Sequence, residues 1–402
     1  MSKNKTFGSM LIIAGTTIGA GMLALPIASA GLGFSTSIVV ILATWLLMTY
    51  TALLMLEVHQ HADVDATLNT LAKGLLGRRG QVIANFSMIF LFYALCAAYI
   101  TGGGSQLQTN LNNWFDWQLA PQVGAIIFAL LFGFIITLGT GTVDKVNRVL
   151  FITKILVLGA MFYMLTPYVQ MQHLLEMPLQ QGLILSAIPV VFTSFGFHGS
   201  IPSIVKYVGK DIKVLRKVMI VGASLPLVIY LFWQVISQGM MSQQSLLQSE
   251  GLPGFIASIA TLLNNPAISK AVTIFADLAL ATSFLGVSLG LFDFFSDTLK
   301  KSNTKQDRLI TAIVTFTPPL GFALFYPQGF IMALGYAAIA LVVLAIFLPV
   351  AMVWQQRRKQ DSLPAGYQVA GGQFALVFVA LLGVLIISAQ GLQMFGVIPA
   401  VG

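Results

Sequence analysis

Residues 15–21 read GTTIGAG, and residues 193–199 read TSFGFHG. Both stretches sit inside apolar runs long enough to cross a bilayer, and both consist of helix-weakening and small polar residues. Their chemistry is that of the backbone. Amides and carbonyls left unpaired in hydrocarbon are costly unless protein or a water-filled cavity satisfies them. Gly15, Gly19 and Gly21, with Thr16, Thr17, Ile18 and Ala20 between them, therefore read as a helix break lining a cavity. Gly15-x-x-x-Gly19 taken alone reads equally as close helix packing. The second stretch, Thr193, Ser194, Phe195, Gly196, Phe197, His198 and Gly199, tips the balance. Each stretch runs Thr, then Thr or Ser, an apolar residue, Gly, and a final Gly, and each is followed by a proline, Pro26 or Pro202. A half-helix N-terminus offers free N–H groups and positive dipole to a carboxylate. Opposed half-helix C-termini offer carbonyls to an ammonium. A zwitterionic α-amino acid matches both ends without any charged side chain in the site.

Few ionisable side chains fall inside the apolar runs. Lys154 lies about six residues past Arg148, roughly 9 Å into its helix. It reads either as snorkelling to the interface or as functional. Asp277 opens an apolar run, where it could cap the helix, take a proton, or accept from a substrate hydroxyl. Asp293, Asp297, Glu57 and His59 read as interfacial. His198 reads first as a partner for freed backbone. Tyr93 and Tyr99 are candidate pocket walls. Cys96, the single cysteine, excludes an internal disulfide framework and reads as a small packing residue.

The elements that position these residues are membrane helices. Hydrophobic residues make up 57% of the 402-residue chain and charged residues 8%, with a mean hydropathy of +0.88. A soluble domain carries roughly 25% charged residues, so lipid is the solvent. Runs of about 20 residues fall at 7–31, 35–57, 83–106, 121–140, 148–168, 183–205, 217–238, 272–296, 309–325, 328–353 and 374–396. That pattern predicts an all-α integral membrane protein of about 11 transmembrane helices, in one domain spanning 1–402. The stretch 239–271 reads as short helices lying on the membrane. The net charge is +8, and of 21 Lys and Arg residues all but Lys270 flank or enter alternate connections on one side. This is the positive-inside pattern rather than a nucleic-acid patch. It puts the N-terminus in the cytoplasm and, with an odd span count, the C-terminus outside. The MSKNK start, apolar run and ASA at 28–30 resemble a cleaved signal, but another span follows at once, so the segment reads as the first span. The two broken spans, the first and the sixth, enter from opposite sides. Two five-helix units of opposite orientation, 7–168 and 183–353, plus an extra helix at 374–396, are the sign of an inverted repeat.

Four long motifs, IIAGTTIGAGMLALP, LSAIPVVFTSFGFHGSIPSIV, FADLALATSFLGVSLGLFDFFSD and ALFYPQGFIMALGYAAIALVVLA, resemble the hydroxy and aromatic amino acid permease family. That family lies within the amino acid–polyamine–organocation superfamily, with its LeuT-like fold. The resemblance runs along nearly the whole chain. It implies a LeuT-like 5+5 inverted repeat with interrupted helices 1 and 6, and a multi-pass place in the bacterial inner membrane. It also implies proton-coupled uptake of an aromatic amino acid, L-tyrosine ahead of tryptophan, with no cofactor. Carried over by residue, 15–21 match the unwound first helix that takes the substrate carboxylate, and 193–199 match the unwound sixth. Phe195 or Phe197 would then cap the substrate. The resemblance puts Thr282 and Ser283 where sodium-coupled relatives use a hydroxyl pair, and Lys154 where proton-coupled ones place a lysine instead of sodium.

Other classes fit less well. A channel needs a polar pore lining, and an enzyme needs a metal-spaced cluster or a nucleophile elbow, neither of which the sequence carries. A structural membrane subunit would not require matched helix breaks. A sodium symporter would share them, and uptake driven by a pH gradient without sodium separates the two. Oligomeric state leaves no mark in the sequence.

Overall fold

The computed structural model describes residues 3–177, 183–249, 251–299, 304–358 and 366–399, and among these there is no strand. The chain opens with α1 (Lys3–Thr17) and α2 (Ala20–Ala28), then α3 (Phe34–His59) and α4 (Leu68–Phe115). Next come α5 (Pro121–Thr137), α6 (Thr140–Leu165), the short α7 (Met171–Leu174), α8 (Leu183–Ser194) and α9 (Ile201–Val208). After α10 (Ile212–Met240) follow α11 (Gln243–Leu247), α12 (Gly251–Leu263), α13 (Pro266–Thr298) and α14 (Lys305–Phe325). The last are α15 (Phe330–Val342), a π-helical turn (Val343–Phe347), α16 (Leu348–Arg358) and α17 (Gly372–Met394).

The chain is an all-helical, multi-pass membrane protein. Among the described residues nine helical segments are long and apolar enough to span a bilayer, and α1 with α2 form a tenth, bent by 50°. The remaining expected run is α5, a helix of 17 residues. It stops where Gly139 turns at φ 114°, and the Arg308 guanidinium takes its last carbonyls at 2.8 Å from Thr137 and 3.4 Å from Ile136. Helix α4 extends well beyond the expected 83–106 and carries a sharp bend at Gly77 (φ 72°, ψ −164°), a geometry that only glycine adopts freely. The stretch 239–271 does form short helices, and α12 packs one face against the bundle while leaving Ala257, Thr261 and Leu262 exposed. Its Leu252, Phe255, Ile256 and Ile259 are buried, against α2, α4, α13 and α15.

The outer faces are apolar, as lipid demands. Phe86, Leu130, Phe134, Leu156, Tyr163, Phe374 and Leu381 are all largely exposed. Inside, α13 packs against α6 and α4, α15 against α4 and α8, α2 against α8, and α1 against α10. The two bent passages, α1–α2 and α8–α9, therefore lie together at the centre.

Charged groups tie helix ends together at the basic end of the bundle. Arg357 donates to both carboxylate oxygens of Glu57, at 2.7 and 2.8 Å, and Lys206 pairs with Asp65 at 3.0 Å. The Arg216 guanidinium stacks over the Tyr367 ring at 4.7 Å. Glu57 and His59, expected at the interface, lie in the last turn of α3 at this basic end and are covered by protein rather than open to solvent. Glu57 is 1% exposed, because the chain around 366–371 folds over it and Val369 N–H donates to its carboxylate at 2.8 Å. His59 is equally buried, and neither of its ring nitrogens has a hydrogen-bond partner.

Candidate functional site

Two breaks in adjacent helices build the site. The first is narrower than the run 15–21 suggests. Thr16 and Thr17 complete the last turn of α1, and only Ile18 and Gly19 leave the helix before Ala20 begins α2. The threonine hydroxyls donate back into their own helix, Thr16 to Ile12 O at 2.8 Å and Thr17 to Ile13 O at 2.9 Å. The first amides of α2 have no carbonyl one turn upstream. Ser283 Oγ on α13 takes the Ala20 N–H at 3.2 Å. That approach leaves no room for a side chain at position 19, where an added Cβ would lie 2.2 Å from Ser283 Oγ. Gly21 faces Ser194 tightly but less so, with an added Cβ 3.0 Å from its Cα. Gly15 is a packing glycine inside α1, against the Phe151 ring. Both readings of the glycine pattern therefore apply, at different positions.

The second break is also short. Helix α8 ends at Ser194, residues 195–197 are irregular, and a 3-10 turn over His198–Ser200 leads into α9. Pro202 sits in the first turn of α9, where its missing N–H costs nothing. Ser194 reaches across and donates to Gly21 O at 3.1 Å, and Thr193 donates to Leu334 O on α15 at 3.0 Å. The breaks are thus bonded to each other directly. His198 does not take freed backbone. Its Nε2 lies 2.9 Å from the Thr51 hydroxyl on α3.

A cavity of about 60 Å³ opens between them. One water needs roughly 10–15 Å³, so the polar groups on its wall face a space that can be hydrated. Thr16, Thr17, Gly19, Ala20 and Gly21 line it from the first break, and Thr193, Ser194 and Gly196 from the second. Ser283 and Val287 contribute from α13, and Leu334 and Leu341 from α15. Helix α4 adds Leu91, Leu95 and Tyr99, a spacing of four that marks one helical face. The sequence reading named Tyr99 but missed the leucines, although that spacing was there to be read.

Several expected residues lie outside the wall. Tyr93 points elsewhere, its hydroxyl donating to Val314 O at 2.8 Å and its ring 5.7 Å from that of Phe295. Phe195 and Phe197 are fully buried. The Phe195 ring packs edge-on against Tyr230 at 5.0 Å, and that of Phe197 lies against His198 at 5.1 Å, so neither caps the cavity here. Asp277 sits six residues from Ser283 along α13 and accepts from Asn110 Nδ2 at 2.9 Å.

Lys154 does not snorkel. It is 1% exposed, and its Nζ donates to Ile18 O at 2.8 Å and to Thr282 Oγ1 at 3.1 Å. The Phe151 ring lies 4.9 Å from the same nitrogen. The Thr282 hydroxyl gives its own proton to Leu278 O at 2.8 Å, which turns its lone pairs toward the ammonium. Lys154 therefore ties α6 to the first break and to α13. Hydrogen bonds from a charged donor are worth about 1.5–3 kcal/mol each, and they offset part of the cost of burying the charge.

A multi-pass helical bundle with facing helix breaks around an internal cavity suits a membrane transport protein. The chain belongs to the tryptophan/tyrosine permease family, whose pattern matches residues 2–390. Tyrosine-specific transport systems 1 and 2 of Haemophilus influenzae are 43% identical over 99% of both chains and 41% identical over the full length of both. The tryptophan-specific transport protein of the same organism is 36% identical over 95% of this chain and 94% of its own.

Proposed function

We propose that the protein imports an aromatic amino acid, L-tyrosine first, together with a proton, by exposing the central cavity alternately to the two sides of the bacterial inner membrane. In this reading the N-terminus is cytoplasmic and the C-terminus periplasmic, as the distribution of Lys and Arg supports. Residues 7–168 and 183–353 act as two inverted five-helix units, and 374–396 is an added helix. The first turn of α2 receives the substrate carboxylate, and the carbonyls that end α1 and α8 receive its ammonium. The names of the two tyrosine-specific relatives support tyrosine. The leucines of α4 and α15 suit an aromatic ring, with Tyr99 as the polar group beside it.

One observation carries the coupling: the Lys154 ammonium bonded to Ile18 O and Thr282 Oγ1. It stands where a coupling cation would have to bridge the first break and α13, with Ser283 holding the adjacent amide. As an ammonium it makes charge-assisted bonds to both acceptors. As a neutral amine it makes weaker ones, and the first break loosens. Proton loss toward the cytoplasm then accompanies substrate release. Sodium has no part in that cycle.

The tryptophan-specific relative favours a second reading, a broader aromatic amino acid permease. Purified protein in proteoliposomes decides between them. An inward proton gradient without sodium should drive accumulation of labelled tyrosine, and unlabelled tyrosine should compete better than tryptophan, phenylalanine or serine. Accumulation that requires sodium would overturn proton coupling, and equal competition by tryptophan would favour the broader permease.

A further inference from the structure

The hydroxyl of Tyr230 touches both helix breaks at once. Tyr230, on α10, is fully buried. Its Oη lies 2.6 Å from the carbonyl oxygen of Thr17 and 2.7 Å from that of Ser194. Thr17 is the last residue of α1 and Ser194 the last of α8. Both carbonyls belong to helix C-termini, where no amide one turn ahead takes them and the dipole is negative. Left alone, two such ends repel. A phenol hydroxyl has one proton, so at any moment it donates to one carbonyl, and the pair remains a donor short. The neighbouring hydroxyls do not make up the deficit. That of Thr17 donates to Ile13 O and Ala14 O, and that of Ser194 to Val190 O and Gly21 O. Both residues line the cavity. The same face of α10 is fastened on either side, with the Phe195 ring edge-on to Tyr230 at 5.0 Å and the Trp233 indole N–H donating to Met22 O at 3.0 Å.

We infer that Tyr230 is a positioning residue whose hydroxyl holds the Thr17 and Ser194 carbonyls side by side as an acceptor pair, and that the substrate ammonium supplies the donor the phenol lacks. This rests on the proposed ammonium subsite and deepens it. An ammonium carries three N–H groups, enough to bond both carbonyls while Tyr230 keeps one of them. Binding of the amine thus draws the ends of α1 and α8 together, and α10 follows through Tyr230. A substrate without its amine leaves the pair one donor short.

Tyr230→Phe tests this in proteoliposomes, with uptake of labelled tyrosine read as KM and Vmax, and with inhibition by 3-(4-hydroxyphenyl)propionate, which is tyrosine without its amine. In the unaltered protein the amine-free acid should inhibit far more weakly than tyrosine binds. In Tyr230→Phe the KM should rise, and the ratio of inhibition constant to KM should shrink, each by about tenfold, the size of one charge-assisted hydrogen bond. A role limited to packing would lower Vmax through loss of folded protein and leave the ratio unchanged, and that result would overturn the inference. If Tyr230→Phe is not recovered from membranes, 3-fluorotyrosine at position 230 keeps the ring and hydroxyl while strengthening the donor. It should lower KM, and an unchanged KM would overturn the inference. Should the unaltered protein bind the amine-free acid as well as tyrosine, the ammonium subsite itself is wrong. A retained requirement for the amine in both forms, with an unchanged ratio, sinks the Tyr230 inference alone.

Discussion

Glu57 at the end of α3 and Lys154 in α6 are both 1% exposed, yet they are held in opposite ways. Glu57 meets a full counter-charge. Both its oxygens accept from Arg357, one also takes the Val369 N–H, and Arg357 donates onward to Val369 O at 3.0 Å. Lys154 meets only dipoles and a ring: one carbonyl, one hydroxyl and the face of Phe151. A paired charge cannot change its protonation without stranding its partner. A charge held by neutral groups strands nothing when it loses its proton. The first arrangement suits a fixed tether between helix ends, the second a group whose state changes during a cycle.

Breaking the tether should have the largest effect on stability. Glu57→Gln leaves Arg357 without its counter-charge and should cost about 3–5 kcal/mol, as breaking a buried pair does. Thermal unfolding of the purified protein reads this as a lowered Tm, and adding Arg357→Gln should recover more than half of the loss. Full stability of Glu57→Gln alone would show that the pair is not a tether.

A smaller effect is expected at the break itself. An alanine methyl at position 19 would lie 2.2 Å from Ser283 Oγ, an overpacking that should cost about 1–3 kcal/mol. Gly19→Ala should therefore lose most tyrosine uptake. Adding Ser283→Ala removes the obstructing oxygen and leaves Ser283 Cβ at 3.6 Å and Ala279 O at 3.9 Å, both at ordinary van der Waals distance. The double variant should transport better than Gly19→Ala alone, and failure of that rescue would argue against a close contact between the first break and α13. Asp277 should matter least to substrate choice. It lies outside the cavity wall and is bonded to Asn110. Asp277→Asn should leave the preference for tyrosine over phenylalanine within about twofold, since a site built on a hydroxyl partner would lose it by orders of magnitude. Competition assays read that ratio directly.

Much of the centre was legible because its signals are local. Glycines within a few residues of a threonine inside an apolar run are a property of one short stretch, and both breaks carry that mark. Their extent was not legible, since the threonine and serine hydroxyls bond back into their own helices and prolong them by a turn. The choice between Tyr93 and Tyr99 turned on helix phase. They lie six residues apart, about 240° around the helix at roughly 100° per residue, so only one of them can face the cavity. Glu57 escaped because its partner is Arg357, far along the chain, and its cover is the segment around Val369. Tyr230 escaped for the same reason. Nothing in its own stretch marks it, and its meaning comes from Thr17 and Ser194, which the fold alone brings to it.

Lys154→Ala offers the most direct measurement. Reconstituted into proteoliposomes at equal protein, the variant and the unaltered protein are compared for tyrosine accumulation driven by an inward proton gradient, and for tyrosine exchange with no gradient imposed. The variant should lose gradient-driven accumulation while remaining in the membrane, and added sodium should not restore it. Accumulation by Lys154→Ala with an unchanged dependence on pH would contradict a coupling role for the ammonium that now joins Ile18 to Thr282.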